Sequence, residues 1–196
     1  MISLTQKERK ALLILFKEFT IFYNANSISK VLDMSHVGAQ KIFKRLYNNN
    51  IIVYQKIGKS IIYKLKIDDD YARKLVAFLL VDEANNFKRW KEEFKDLFKE
   101  DRIVMLYGST IKNYKDAKDI DIMIVMNEKD VKEVNKILNE KQKLLPKKLH
   151  TIKLTPNDFL KNLKNKNKAI IDIVKNAVIL YGQDKYVEIM KNVTSF

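Results

Sequence analysis

The chain opens on apolar residues repeated at helical spacing, and after the asparagine run at 48–50 the pattern changes to short apolar runs. Thr5 stands three residues before Glu8, so its hydroxyl can cap a helix while Glu8 reaches back in a capping box. Leu12, Leu15, Phe16 and Phe19 follow at i, i+3, i+4 and i+7 and give that helix one buried face. "FYNANS" breaks the pattern, and Ser27 is expected to cap a short second helix ending near Val31 and Leu32. "DMS" makes a tight turn before a third helix capped by Ser35. There Ala39, Ile42, Phe43 and Leu46 face inward, with His36, Gln40, Lys41, Lys44 and Arg45 on the other side. "NNN" ends it. Two β-rich runs within "IIVYQKIGKSIIYKLK" then join through Lys56-Ile57-Gly58-Lys59, a hairpin with a glycine turn.

Residues 71–99 read as one long or slightly broken helix. Leu75, Leu79, Phe87, Trp90, Phe94, Leu97 and Phe98 recur at roughly helical spacing. Such a stripe serves either as core, in a spacer between two domains, or as the seam of a homodimer. From residue 102 strands and helices alternate: "IVMLY" (103–107), a short helix in "TIKNY", "IDIMIVM" (120–126), a helix in "KDVKEVNKILNEKQK", and "LHTIKL" (149–154). Pro156 at a first helical position opens further helices, and "AVILYG" is a candidate short strand. The fold class expected is α+β.

Composition narrows the setting. No apolar run approaches the roughly 18–20 residues that span a bilayer, and "MISLTQKERK" lacks an apolar signal core. Cysteine is absent and histidine occurs twice, which disfavours a structural zinc site. A cytoplasmic protein without a membrane partner is expected.

Charge says more. The net charge is +14, and residues 1–66 hold 12 Lys plus Arg against 3 Asp plus Glu, a net +9. One third of the chain thus carries about two thirds of the excess. Lysine enrichment from a biased coding sequence would spread charge, whereas a surface for an anionic partner concentrates it. Three helices followed by a two-stranded hairpin resemble the winged helix-turn-helix family over about 65 residues. The resemblance implies double-stranded DNA as partner, with the helix from Ser35 to Tyr47 in the major groove. Ser35, His36, Gln40, Lys41, Lys44 and Arg45 would then face the DNA, and Lys56 and Lys59 at the wing tip would meet phosphates. A winged helix used for protein contacts is the alternative.

Asp119 and Asp121 sit inside an apolar strand, and residues i and i+2 of a strand share a face. Two carboxylates so close repel, and burying either unpaired is costly. A divalent cation relieves both, and hard Mg²⁺ prefers oxygen ligands while leaving room for phosphates. Just upstream, Gly108-Ser109 offers a backbone without a Cβ and amides at a helix start, both suited to a phosphate chain.

"LYGS", nine intervening residues and "DIDI" together resemble the nucleotidyltransferase motif of the DNA polymerase β-like superfamily, over roughly residues 100–185. The resemblance implies a sheet-based palm in which Asp119 and Asp121 act as catalytic metal ligands for Mg²⁺ and Gly108 and Ser109 hold a nucleoside triphosphate. The family usually places a third carboxylate on a later strand, here "LHTIKL". Nothing acidic lies between Glu140 and Asp158. His150 is on that strand, either as a proton acceptor or as a structural side chain.

The expected organisation is a winged helix-turn-helix at 1–67, a linker helix at 68–100 and a nucleotidyltransferase-like domain at 101–196. Two functions stay open: a DNA-binding transcriptional regulator whose second domain binds Mg–NTP, or an active nucleotidyltransferase acting on a protein or RNA hydroxyl, as in antitoxin systems. A polymerase is disfavoured for want of template-gripping domains.

Overall fold

The computed structural model describes residues 3–194. The fold is α+β, and among the described residues it has ten α-helices and two small sheets. The chain divides into two compact units, the first running to Leu79 and the second from Leu80 to Val193.

The first unit opens with α1 (Gln6–Lys17), α2 (Ala25–Val31) and α3 (His36–Asn48). The Thr5–Glu8 capping box starts α1. Leu12, Leu15 and Phe16 are buried on it, while Phe19 lies past its end and is only half-buried. α2 differs from expectation at its cap. Asn24, not Ser27, is the N-cap: its Oδ1 accepts from the Ser27 amide at 2.8 Å, and the Ser27 hydroxyl accepts from the Asn24 amide at 2.9 Å. Both residue types can cap, and the pair here forms a reciprocal box one turn earlier.

Ala39, Ile42, Phe43 and Leu46 are buried along α3. The hairpin pairs β1 (Ile52–Ile57) with β2 (Ser60–Leu65), Ile57 opposite Ser60, so Gly58 and Lys59 form a two-residue loop. Gly58 takes the positive φ of 59° that such a loop requires. Tyr63 of β2 stacks on Phe43 at 4.1 Å between ring centroids, fastening the hairpin to α3.

The stretch expected as one long or slightly broken helix is broken. α4 (Asp70–Asn85) ends where the Asn86 and Phe87 amides bond back to Glu83 and Ala84, the tighter i→i+3 pattern that closes a helix. α5 (Lys88–Glu93) and a 3₁₀ turn (Lys95–Leu97) follow. The boundary between the units falls within α4. Ala84, Trp90, Phe94 and Leu97 are buried in the core of the second unit.

That unit is built on four strands, β3 (Ile103–Tyr107), β4 (Asp119–Val125), β5 (Lys148–Leu154) and β6 (Val178–Tyr181), in the order β5-β4-β3-β6. β4 and β5 are parallel, and β3 is antiparallel to β4 and β6. Val104, Leu106, Ile120, Ile122 and Ile124 form the centre of the core, against which α7 (Val131–Leu144) packs Val134 and Leu138. α6 (Ser109–Lys112) joins β3 toward β4, α8 (Pro156–Lys164) and α9 (Lys168–Asn176) lie between β5 and β6 in sequence, and α10 (Gln183–Thr194) ends the unit.

Just before β3 the Arg102 side chain is fully buried. Its Nη2 donates to Asp130 at 3.1 Å and to Glu133 at 2.8 Å, and Lys99 also reaches Glu133 at 2.9 Å. Among the described residues no helix is long and apolar enough to cross a membrane.

Candidate active site

β4 alternates only at its start, and from Ile122 to Val125 it is buried on both faces. Ile120 and Ile122 are fully buried, and Asp119 and Asp121 turn together to the other side, half-buried. On one flank Asp121 lies opposite Tyr107, the last residue of β3; on the other it lies opposite His150 of β5.

The turn after β3 is built around these carboxylates. Gly108 has φ 76° and ψ −159°, a conformation open essentially to glycine alone. A Cβ there would lie 2.1 Å from Asp121 Oδ2. The backbone of the turn therefore rests directly against the acid. Ser109 begins α6 with its side chain exposed, and the buried Thr110 hydroxyl donates to the Asp119 carbonyl at 2.8 Å, fixing α6 to the start of β4. Lys147 closes the intervening loop by donating from Nζ to the carbonyls of Tyr114 and Ala117. Neither Thr110 nor Lys147 carries a motif; a short threonine and one of many lysines give no signal in sequence.

His150 completes the group. Its Nδ1 is 3.0 Å from Asp119 Oδ2 and 3.7 Å from Asp121 Oδ1. One donor atom from each of Asp119, Asp121 and His150 lies within 4.8 Å of the others. β5, the strand on which the sequence resemblance implies a third carboxylate, supplies an imidazole.

The electrostatics are those of a site short of positive charge. Burial first, and then the neighbouring Asp119 charge, push the Asp121 carboxyl above its ordinary range, with His150 pulling the other way. Burial, then Asp121 and Asp119, push the Tyr107 hydroxyl up to about 12, so it stays protonated. Among the described residues His150 is the only basic side chain within ion-pair distance of either aspartate. A divalent cation fits this set. Bonds of about 2.1 Å place adjacent octahedral ligands roughly 3 Å apart, close to the shorter of the two nitrogen–oxygen separations.

Beside the turn opens a cavity of about 370 Å³, lined by Tyr107, Gly108, Ser109, Lys112, Asp172 and Asn176. The volume falls in the range of small-molecule sites.

Residues 92–186 match the family model described as "Polymerase beta, Nucleotidyltransferase". The second unit has a nucleotidyltransferase-fold domain. Gly108, Ser109, Asp119, Asp121 and His150 all fall within the matched span. Comparisons with curated proteins and with solved structures return no match for the chain.

The remaining candidate residues lie in the first unit. Ser35 is the N-cap of α3 and its hydroxyl accepts from the Gly38 amide at 3.1 Å. His36, Gln40, Lys41 and Lys44 are exposed on α3, as are Lys56 on β1 and Lys59 in the loop. Arg45 is engaged within the unit. Its Nη1 meets both oxygens of the buried Glu8 at 2.9 Å, and its Nη2 donates to the Ser3 carbonyl at 2.6 Å.

Proposed function

We propose that the second unit binds a nucleoside triphosphate as its divalent-cation complex and transfers the nucleotidyl group to a hydroxyl of a protein or RNA. The observation that carries this reading is the contact between Gly108 and Asp121: a backbone turn without a Cβ, set against two carboxylates whose one basic partner among the described residues is His150. Amides at the start of α6 and the Ser109 hydroxyl would donate to phosphate oxygens. Asp119 and Asp121 would hold the cation, which supplies positive charge to the phosphates. The cavity beside the turn would take the rest of the nucleotide, with Lys112 at its rim.

In the reaction the acceptor oxygen forms a bond to the α-phosphorus and the α–β phosphoanhydride bond breaks. Pyrophosphate leaves, and the acceptor proton passes to a base or to water. The test is transfer of label from an α-labelled nucleoside triphosphate to a protein or RNA acceptor. Asp119→Ala should abolish it. If none of the four triphosphates binds or transfers label, the reading fails.

A second reading concerns the first unit: a winged helix-turn-helix that binds double-stranded DNA and serves transcription regulation. Three helices and a hairpin, the exposed row His36, Gln40, Lys41 and Lys44, and the net +9 of residues 1–66 support it. Phosphate neutralisation by such a surface makes affinity fall steeply with salt. The two readings are compatible, because a nucleotidyltransferase can also occupy DNA.

A further inference from the structure

We infer that His150 is a ligand of the cation and makes the site one for a single transition-metal dication, Mn²⁺ in preference to Mg²⁺. This rests on the metal–nucleotide reading above and adds which metal the site selects. The two separations that define it both involve Nδ1, at 3.0 Å from Asp119 and 3.7 Å from Asp121. One imidazole nitrogen is thus brought toward both carboxylates, close enough to pair directly with Asp119 in the metal-free protein and to share an ion with both acids once one is bound.

Ligand chemistry then sets the preference. Oxygen-only sites suit Mg²⁺, whereas imidazole nitrogen favours first-row transition dications, and Mn²⁺ accepts oxygen and nitrogen donors together in octahedral geometry. Donor count limits the number of ions. Asp119, Asp121 and His150 offer three donor atoms, enough to hold one ion, while a further carboxylate on β5 would be needed to hold a second beside it. No residue from 141 to 157 is acidic, so β5 has no carboxylate to offer.

The experiment uses the full chain with Mn²⁺ and ATP. Pulsed EPR should show a nitrogen coupling on the bound Mn²⁺ that changes isotope pattern when histidine is labelled with ¹⁵N, and that disappears in His150→Ala. His36 is the only other histidine and remains in that variant. Competition between Mn²⁺ and Mg²⁺, followed through the free-Mn²⁺ signal, should show the Mn²⁺:Mg²⁺ affinity ratio falling about tenfold or more in His150→Asp. Mn²⁺ held without histidine-nitrogen coupling, or an unchanged ratio in a folded His150→Asp, overturns the inference and leaves the metal–nucleotide reading standing. Should His150→Asp fail to fold, the wild-type isotope experiment decides alone. Binding of Mg²⁺–ATP without Mn²⁺ binding overturns the inference alone, and absence of binding with either ion overturns both.

Discussion

Gly108 and Asp121 occupy one space: a methyl group on residue 108 would sit 2.1 Å from the Asp121 Oδ2. The close approach joins the turn after β3 to the acid, and it makes Gly108→Ala a sharp test of the proposed phosphate site. The variant meets both that collision and a backbone conformation that L side chains rarely adopt. We expect a loss of about 1–3 kcal/mol of stability and disappearance of the rise in melting temperature that ATP with Mn²⁺ gives the wild type. A variant still stabilised by nucleotide would show that the turn does not carry the phosphates.

Asp121 should be stabilising only when a cation is present. Its carboxyl is half-buried and held above its usual range by burial and by Asp119. In the metal-free protein Asp121→Asn removes that repulsion without changing shape, and the melting temperature at neutral pH should rise by on the order of 2 °C. The same variant should lose the further gain that Mn²⁺ confers. Thermal denaturation with and without Mn²⁺ reads both, and a lower melting temperature in the metal-free variant would contradict the prediction.

Arg102 anchors the other end of β3. Its guanidinium is buried against Asp130 and Glu133, so Arg102→Ala leaves Asp130 largely buried without its main partner, at a cost of about 3 kcal/mol or more. Lys99 first, and then Arg102, hold the Glu133 carboxyl below its ordinary range. A depressed carboxyl stabilises the fold above its unfolded value and loses that contribution as pH falls through the folded one. Urea denaturation should therefore show the full gap between wild type and variant at pH 7, and a smaller gap in acid. An unchanged gap would mean that charge is not what Arg102 contributes.

On α3 two neighbouring basic residues should behave differently. Lys44 is exposed, whereas Arg45 binds Glu8 and the Ser3 carbonyl. Lys44→Ala should weaken DNA binding and reduce the slope of log affinity against log salt by about 1, read by fluorescence anisotropy. Arg45→Ala should chiefly lower thermal stability, since it leaves Glu8 buried without its guanidinium. Equal salt slopes for wild type and Lys44→Ala would remove α3 from the DNA-binding surface.

The local parts of this architecture were legible in the chain. The Thr5 capping box, the inward face of α3, the Gly58 loop and the Asp119–Asp121 alternation each depend on residues a few positions apart. Non-local pairings were not. The place of His150 follows from the parallel register of β5 on β4, which sets it opposite Asp121 across 29 residues of chain, and no local pattern encodes that register. Glu8 was read for its cap, and its ion pair with Arg45 lies 37 residues away. Arg102 gave no signal, because arginine in a polar stretch normally stays in water. Similarly, both Asn24 and Ser27 had the chemistry of a cap, and the box they share chose between them.

Two of the three donors stand on β4, which is hydrogen-bonded on both sides, and the third stands on β5 at the sheet's rim. An interior strand opens only when the sheet does, but a rim strand can fray by itself. The donor set is therefore split: two carboxylates on a strand held on both sides, and an imidazole on a strand held by one ladder and by α7, where Gln142 Oε1 accepts from the Leu149 amide at 2.8 Å. Whatever grips or frees that rim would set how firmly an ion at this site is held, while the rest of the sheet stays folded.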